Sequence, residues 1–159
     1  AFFNRPVDNE SMEYQIISRE EIVLCTHDKD PLIRKADPRQ GCKYPWLDIR
    51  LCKDEPFILN YPEQRTTQIA DHIFCQAGFR PKVALQVRSL MTTVSLSALG
   101  YGMSFASEKY PTQMCIGKKP AVLSIGEPVV MMNLVAAYRR GAPLAPYTRD
   151  FIEIAKELY

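Results

Sequence analysis

The stretch Glu55–Ser107, EPFILNYPEQRTTQIADHIFCQAGFRPKVALQVRSLMTTVSLSALGYGMSFAS, decides the fold. Phe57-Ile58-Leu59 is a short continuous apolar run, as expected of a strand buried in a mostly parallel sheet. Tyr61-Pro62 ends it, because the ring of Pro62 has no N–H to give a ladder. From Gln64 the apolar spacing lengthens. Ile69, Ile73, Phe74 and Ala77 recur every three or four residues, which is one face of a helix. Gly78 caps that helix and Pro81 follows shortly after. Lys82–Val87 is a second strand. Ser89 is placed to cap a second helix, whose packed face is Met91, Val94, Ser95, Ala98 and Leu99 and which stops at Gly100 or Gly102. Met103–Ala106 is a third strand. Strands separated by helices imply right-handed crossovers and parallel pairing. Such an α/β half-domain presents strand ends and helix N-termini to a cleft.

Working outward, the end of a strand is expected at Ala1-Phe2-Phe3, followed by a loop over Asn4–Ser11. Met12–Ser18 alternates like an edge strand, and Glu21–Thr26 (with Ile22, Val23 and Leu24) is a stronger strand. A short helix is expected to start at Pro31. The polar, irregular stretch Asp37–Lys53 reads as mostly loop, with Trp46-Leu47 docked on the core. Tyr110–Pro120 is a further loop with room for a helical turn. Ala121–Ile125 and Val129–Tyr138 read as strands, and Tyr147–Leu158 as an amphipathic helix carrying Phe151, Ile154, Ala155 and Leu158.

Composition narrows the function. A chain of 159 residues is long enough to bury a sizeable core. A formal net charge of +2 is too small to mark a nucleic-acid surface on this chain. No apolar run approaches the roughly 20 residues of a membrane span, and the first residues do not read as a secretory signal. The five cysteines cannot all pair with one another and fall within predicted strands and helices, so they read as reduced thiols of a cytoplasmic protein.

Five short motifs, in order along the chain, carry a resemblance. They are Glu21-Ile22-Val23-Leu24-Cys25-Thr26-His27-Asp28-Lys29-Asp30-Pro31-Leu32, Asp54-Glu55-Pro56-Phe57-Ile58, Ala77-Gly78-Phe79-Arg80-Pro81, Gly100-Tyr101-Gly102-Met103 and Tyr138-Arg139-Arg140-Gly141. In that order and spacing they resemble the effector-binding domain of LysR-type transcriptional regulators over essentially the whole chain. The resemblance implies an α/β, type II periplasmic-binding-protein-like fold, with two α/β subdomains joined by two crossing strands and a small-molecule cleft between them. It implies a division into residues 1–28 with 126–159, the remaining part of an incomplete first subdomain, and residues 29–125, the second subdomain. It implies DNA binding only through a helix-turn-helix domain absent from this chain, assembly into homodimers or tetramers, no membrane partner, no cofactor and no catalysis. In the family the counterpart of the helix over 64–77 packs on the other protomer, which makes Ile69, Ile73 and Phe74 candidates for an interface instead of the core.

In such a fold ligands lie at strand C-terminal ends beside helix N-termini, where free N–H groups and the helix dipole draw anions. The first candidate is therefore Asn60–Thr67, with Asn60, Tyr61, Gln64, Arg65, Thr66 and Thr67. Hydroxyls and N–H groups at a helix start suit a carboxylate, and Arg65 adds a bidentate donor. The bland alternative is that Thr66 or Thr67 merely caps the helix while Arg65 stays in solvent. The second candidate is the end of the third strand, with Ser104 and Phe105; the family commonly has a proline where Ser107 stands. The third is Asn4, beside Arg5. The effector expected from this set is a small anionic metabolite whose binding shifts the conformation of a DNA-binding oligomer.

Other constellations are weaker. Cys25 and His27 share a strand face, His72 and Cys75 share a helix face, and Cys42 and Cys52 lie nearby in sequence. They form no Cys-x-x-Cys pair and fall on elements with different jobs, so no metal is expected. The rival readings are a transporter's solute-binding protein with the same fold, and an enzyme built on the same subdomain. The second would need an acid–base or nucleophile set at the strand ends, and none stands out.

Overall fold

The computed structural model describes residues 2–4, 10–113 and 117–158. The chain forms two units, residues 1–20 with 131–159, and residues 21–130.

The first unit contains the short strand β1 (Phe2–Asn4), the leading half of β2 (Met12–Thr26), β7 (Met131–Arg139) and the helix α4 (Pro146–Leu158). β1 runs antiparallel to β7, with Phe2 opposite Ala136 and Asn4 opposite Leu134, and β7 lies beside β2. One face of α4 supplies Ile152 and Ala155 to a core with Ile17 and Ala136. Its other face leaves Tyr147, Phe151, Ile154 and Leu158 exposed.

The second unit is the α/β half anticipated from Glu55–Ser107. After the 3₁₀ turns Pro31–Lys35 and Ile49–Cys52 come β3 (Pro56–Asn60), α1 (Arg65–Ala77), β4 (Lys82–Val87), α2 (Leu90–Ala98), β5 (Ser104–Ser107), the short α3 (Lys109–Gln113) and β6 (Ala121–Ser124). β3 pairs in parallel with β4, and a parallel bridge joins Phe57 to Met103. The trailing half of β2 pairs antiparallel with both β5 and β6. The order across the sheet is therefore β4-β3-β5-β2-β6.

Both faces are covered. Val94 of α2 packs with Val23, Cys25 and Ala106 on one side. On the other, Phe74 of α1 meets Phe57 edge-on at 4.9 Å and Phe105 at 5.4 Å, while Phe57 and Phe105 stack at 5.9 Å. Offset and edge-on aromatic pairs add about 0.5–1.5 kcal/mol each to their burial. Gly78 closes α1 in the left-handed conformation, its N–H bonded to the Cys75 carbonyl and that of Phe79 to Phe74.

Two expectations need correction. Met12–Ser18 and Glu21–Thr26 are one continuous strand, in which Arg19 points to solvent while Ser18 and Glu20 are buried, the Ser18 hydroxyl donating to Glu20 Oε1 at 3.2 Å. The stretch Asp37–Lys53 is mostly loop, as expected, with one 3₁₀ turn that starts where Asp48 accepts from the Arg50 N–H. Ile69, Ile73 and Phe74 are not exposed candidates for an interface. They are buried in the core of this unit, where the aromatic cluster takes them up. Trp46-Leu47 docks as expected: Leu47 is fully buried, the Trp46 indole donates to the Gly126 carbonyl at 2.8 Å, and Arg39 lies over the indole ring.

Candidate functional site

From β3 the chain crosses through α1 to β4, then returns through α2 to β5 on the opposite side of β3. The winding direction thus reverses between β3 and β5, and open α/β sheets hold ligands outside the strand C-termini at such a switch point. The residues there are Asn60–Thr67 and the end of β5 at Ser107.

The start of α1 is built to leave donors open. Gln64 occupies the N-cap position, yet its side chain makes no capping bond. Its amide instead accepts from the Tyr61 N–H at 3.2 Å and donates to the Arg88 carbonyl at 2.9 Å, holding the loop to the segment before α2. The first intrahelical bonds run from the Thr67 and Gln68 N–H groups to the Gln64 carbonyl. The N–H groups of Arg65 and Thr66 therefore lie ahead of the helical ladder, at the positive end of the helix dipole. Arg65 is exposed, and its guanidinium meets Gln68 Oε1 only at 3.4 Å. Thr66 is half-buried, and Tyr61 is 36% exposed with the Arg88 guanidinium 5.4 Å over its ring. Backbone N–H groups, a hydroxyl and a guanidinium converge on one loop, a donor set suited to an oxyanion.

Behind these residues stands a closed polar network. The Asn60 amide donates to the Val87 carbonyl and to Thr93 Oγ1, both at 3.0 Å. The Thr67 hydroxyl donates to the Asn60 carbonyl at 2.9 Å. The Thr93 hydroxyl donates to the Ser89 carbonyl, and that of Ser97 to Ser104 Oγ at 2.7 Å. Ser89, as expected, caps α2 by accepting from the Thr92 N–H.

The candidate residues of the sequence thus separate into two groups. Tyr61, Gln64, Arg65 and Thr66 lie together at the open helix start. Asn60 and Thr67 are buried and bonded within the unit, so they brace that start. Ser104 and Phe105 are displaced from the role expected of them. β5 begins at Ser104 and ends at Ser107, so Ser104 sits at the wrong end of the strand, bonded to α2, and Phe105 belongs to the aromatic cluster. Asn4 pairs through its backbone with β7 in the other unit, and its side chain lies outside the described residues.

One cluster near the end of β5 had no sequence signal. Glu108 Oε1 accepts from the Lys43 ammonium at 2.6 Å and from the Glu21 N–H at 3.1 Å. The bond to Glu108 pushes the Lys43 ammonium above its ordinary value. Glu21 beside it is buried, and its Oε1 has no hydrogen-bond partner among the described residues. These residues come from three distant parts of the sequence, and nothing local in any of them announces the meeting.

The cysteines take no part in this site. Burial pushes the thiols of Cys25 and Cys52 up to about 12, which keeps both protonated. The four described cysteines are free, and Cys115 lies outside the described residues. Among the described residues no group of three His, Cys, Asp or Glu could hold a metal ion.

The model of the LysR substrate binding domain matches residues 1–159. The chain belongs to that family. Among curated proteins no relative matches the chain. Solved structures show the same fold at low identity. The regulatory domain of CcmR from Synechocystis PCC6803, in complex with 2-PG, is 19% identical with a TM-score of 0.81, covering 99% of this chain and 71% of that one. The effector binding domain of QuiR in complex with shikimate is 18% identical with a TM-score of 0.74, covering 99% and 69%. The C-terminal domain of a probable LysR family regulator from Rhodococcus sp. RHA1 is 18% identical with a TM-score of 0.76, covering 97% and 72%.

The fold is therefore the type II periplasmic-binding-protein-like fold of LysR domains. The chain is an effector-sensing domain of a LysR-type regulator, and the transporter reading is not favoured. Regulators of this family bind small-molecule effectors and act as oligomers, and the domain is a regulatory one. No described helix is long and apolar enough to cross a membrane.

Proposed function

We propose that this LysR domain senses a small organic anion held at Tyr61–Thr67, with the N–H groups of Arg65 and Thr66, the Thr66 hydroxyl and the Arg65 guanidinium as its receivers. The observation that carries this reading is the uncapped start of α1. The N-cap side chain is turned away to Tyr61 and Arg88, so the helix presents its first donors without a side-chain cap among the described residues. The network through Asn60 and Thr67 holds those donors in place before a ligand arrives, which lowers the ordering cost of binding. The domain acts in the cytoplasm as part of a homodimer or tetramer, and reaches DNA through a helix-turn-helix domain outside this chain. Ligand binding works by population shift, favouring the conformation in which the anion is best held. No catalytic step is assigned to it.

A thermal-shift and calorimetric screen of small carboxylates and neutral sugars tests this. Carboxylates stabilise the protein. Arg65→Ala weakens the best of them by about 10- to 100-fold, the weight of a charge-assisted hydrogen bond, and Thr66→Ala weakens it less. Stabilisation by a neutral apolar compound alone would contradict the reading.

A further inference from the structure

Where β2 and β5 pair, Ile22 stands opposite Ser107. One step further, the Glu108 N–H donates to the Glu21 carbonyl at 2.9 Å, and the Glu21 N–H donates to Glu108 Oε1 at 3.1 Å. Glu21 and Glu108 are therefore direct cross-strand neighbours, whose side chains share one face of the sheet and whose like charges repel. Two residues along on that face stand Val23 and Ala106, in the apolar core with Val94 of α2. Glu21 is 2% exposed and Glu108 7%, and burial makes unneutralised carboxylates costly.

Neutralisation of the pair is incomplete. Among the described residues Lys43 is the one cation bonded to it, with its ammonium 2.6 Å from Glu108 Oε1. Glu21 Oε1 meets no donor among the described residues. Two carboxylates thus share one ammonium, and the more deeply buried of the two goes without. Buried polar atoms are almost always bonded, so an open acceptor here marks the place of a further donor.

Lys43 covers the pair from solvent. Its side chain is 59% exposed, against 9% for that of Glu108, and it stands on the irregular segment between the two 3₁₀ turns. A lysine ammonium rides on a flexible stem, so it swings aside without disturbing the apolar core. The donor that fits two carboxylates is another ammonium, which has three N–H groups and no acceptor of its own. Metal ions need a larger ligand set, and among the described residues no group of three His, Cys, Asp or Glu could hold one.

We propose that Glu21 and Glu108 form a binding site for the ammonium group of a small organic amine, with Lys43 as its displaceable cover. The incoming ammonium donates to Glu21 Oε1 and to the Glu108 carboxylate, and the Lys43 side chain moves out to solvent. The site is independent of the anion reading at the start of α1.

Titration of the ¹⁵N-labelled chain at matched ionic strength tests it with three probes: n-butylamine, 1-butanol for the body without charge, and potassium chloride for a cation without N–H donors. Butylamine shifts the amides of residues 20–22, 42–44 and 107–109, and binds at least about tenfold more tightly than either control, the weight of one charge-assisted bond. Glu21→Gln, which keeps the shape and removes the charge, weakens butylamine by about tenfold or more, and a thermal melt confirms that the variant is folded. Lys43→Met strengthens it, because the competing ammonium is gone; a merely structural role for Lys43 gives no gain. Arg65→Ala leaves butylamine binding unchanged, so failure here and failure of the site at α1 are read separately. Unmoved amides in those three segments, equal binding of 1-butanol or potassium, undiminished binding by folded Glu21→Gln, or no gain in Lys43→Met would each overturn the proposal.

Discussion

The two ends of the sheet in the second unit use polar residues in opposite ways. At the C-terminal end of β3, Asn60, Thr67, Thr93, Ser97 and Ser104 are buried and satisfy one another, and the donors left open belong to the backbone and surface of one helix start. At the other end a glycine turn and a 3₁₀ turn border an open cavity lined by Lys29, Lys35, Asp30 and Glu55, whose lysines form no ion pair among the described residues. A closed network fixes geometry in advance, whereas an open lining offers room and charge with less constraint. The same contrast sets what substitution costs at each end.

The largest difference expected is chemical. Cys25 is fully buried one residue before the wall of the open cavity, with its thiol raised to about 12, while Cys75 is exposed on α1. At pH 8 a thiol with that value holds about a thousandfold less thiolate than an ordinary one. Mass spectrometry after iodoacetamide treatment should find Cys75 alkylated and Cys25 and Cys52 spared. Rapid labelling of Cys25 would show that the open end communicates with the core.

Next come two stability measurements by urea unfolding. Asn60→Leu removes both buried amide bonds at the closed end and strips the Val87 carbonyl of that donor, for a loss of about 3 kcal/mol. Gly102→Ala places its Cβ against the Pro56 carbonyl in a backbone conformation of φ +154°, for about 1–3 kcal/mol. If Gly102→Ala proved neutral, the back wall of the cavity would be softer than the geometry requires. The smallest effect is at the cavity rim. Lys35→Glu should change stability by less than about 0.5 kcal/mol, because the side chain is exposed and forms no ion pair among the described residues.

Much of the fold was legible because its signals are local. The shift from Phe57-Ile58-Leu59 to the spacing of Ile69, Ile73 and Phe74 marks β3 and α1, and Gly78 and Ser89 cap helices where their chemistry says they should. The continuity of β2 was not legible. Ser18, Arg19 and Glu20 look like a break, yet the strand runs through them with Ser18 and Glu20 buried and bonded to each other. The candidate site was legible as a segment but not as a list of side chains. Threonine at positions 66 and 67 looks the same in sequence, yet one is half-open and the other is turned inward to Asn60. Ser104 stands at the start of the strand in either reading, and the strand runs on to Ser107, so its C-terminal end lies three residues beyond Ser104. The Glu21–Lys43–Glu108 cluster depends wholly on tertiary contact.

The central claim is that the uncapped start of α1 receives an anionic effector. Amide shift mapping with the carboxylate that most stabilises the protein tests it most directly. The account predicts the largest shifts at Tyr61–Thr67, with affinity falling about 10- to 100-fold in Arg65→Ala. A stabilising ligand that leaves those amides unmoved, or that binds Arg65→Ala as tightly as the parent chain, would contradict it.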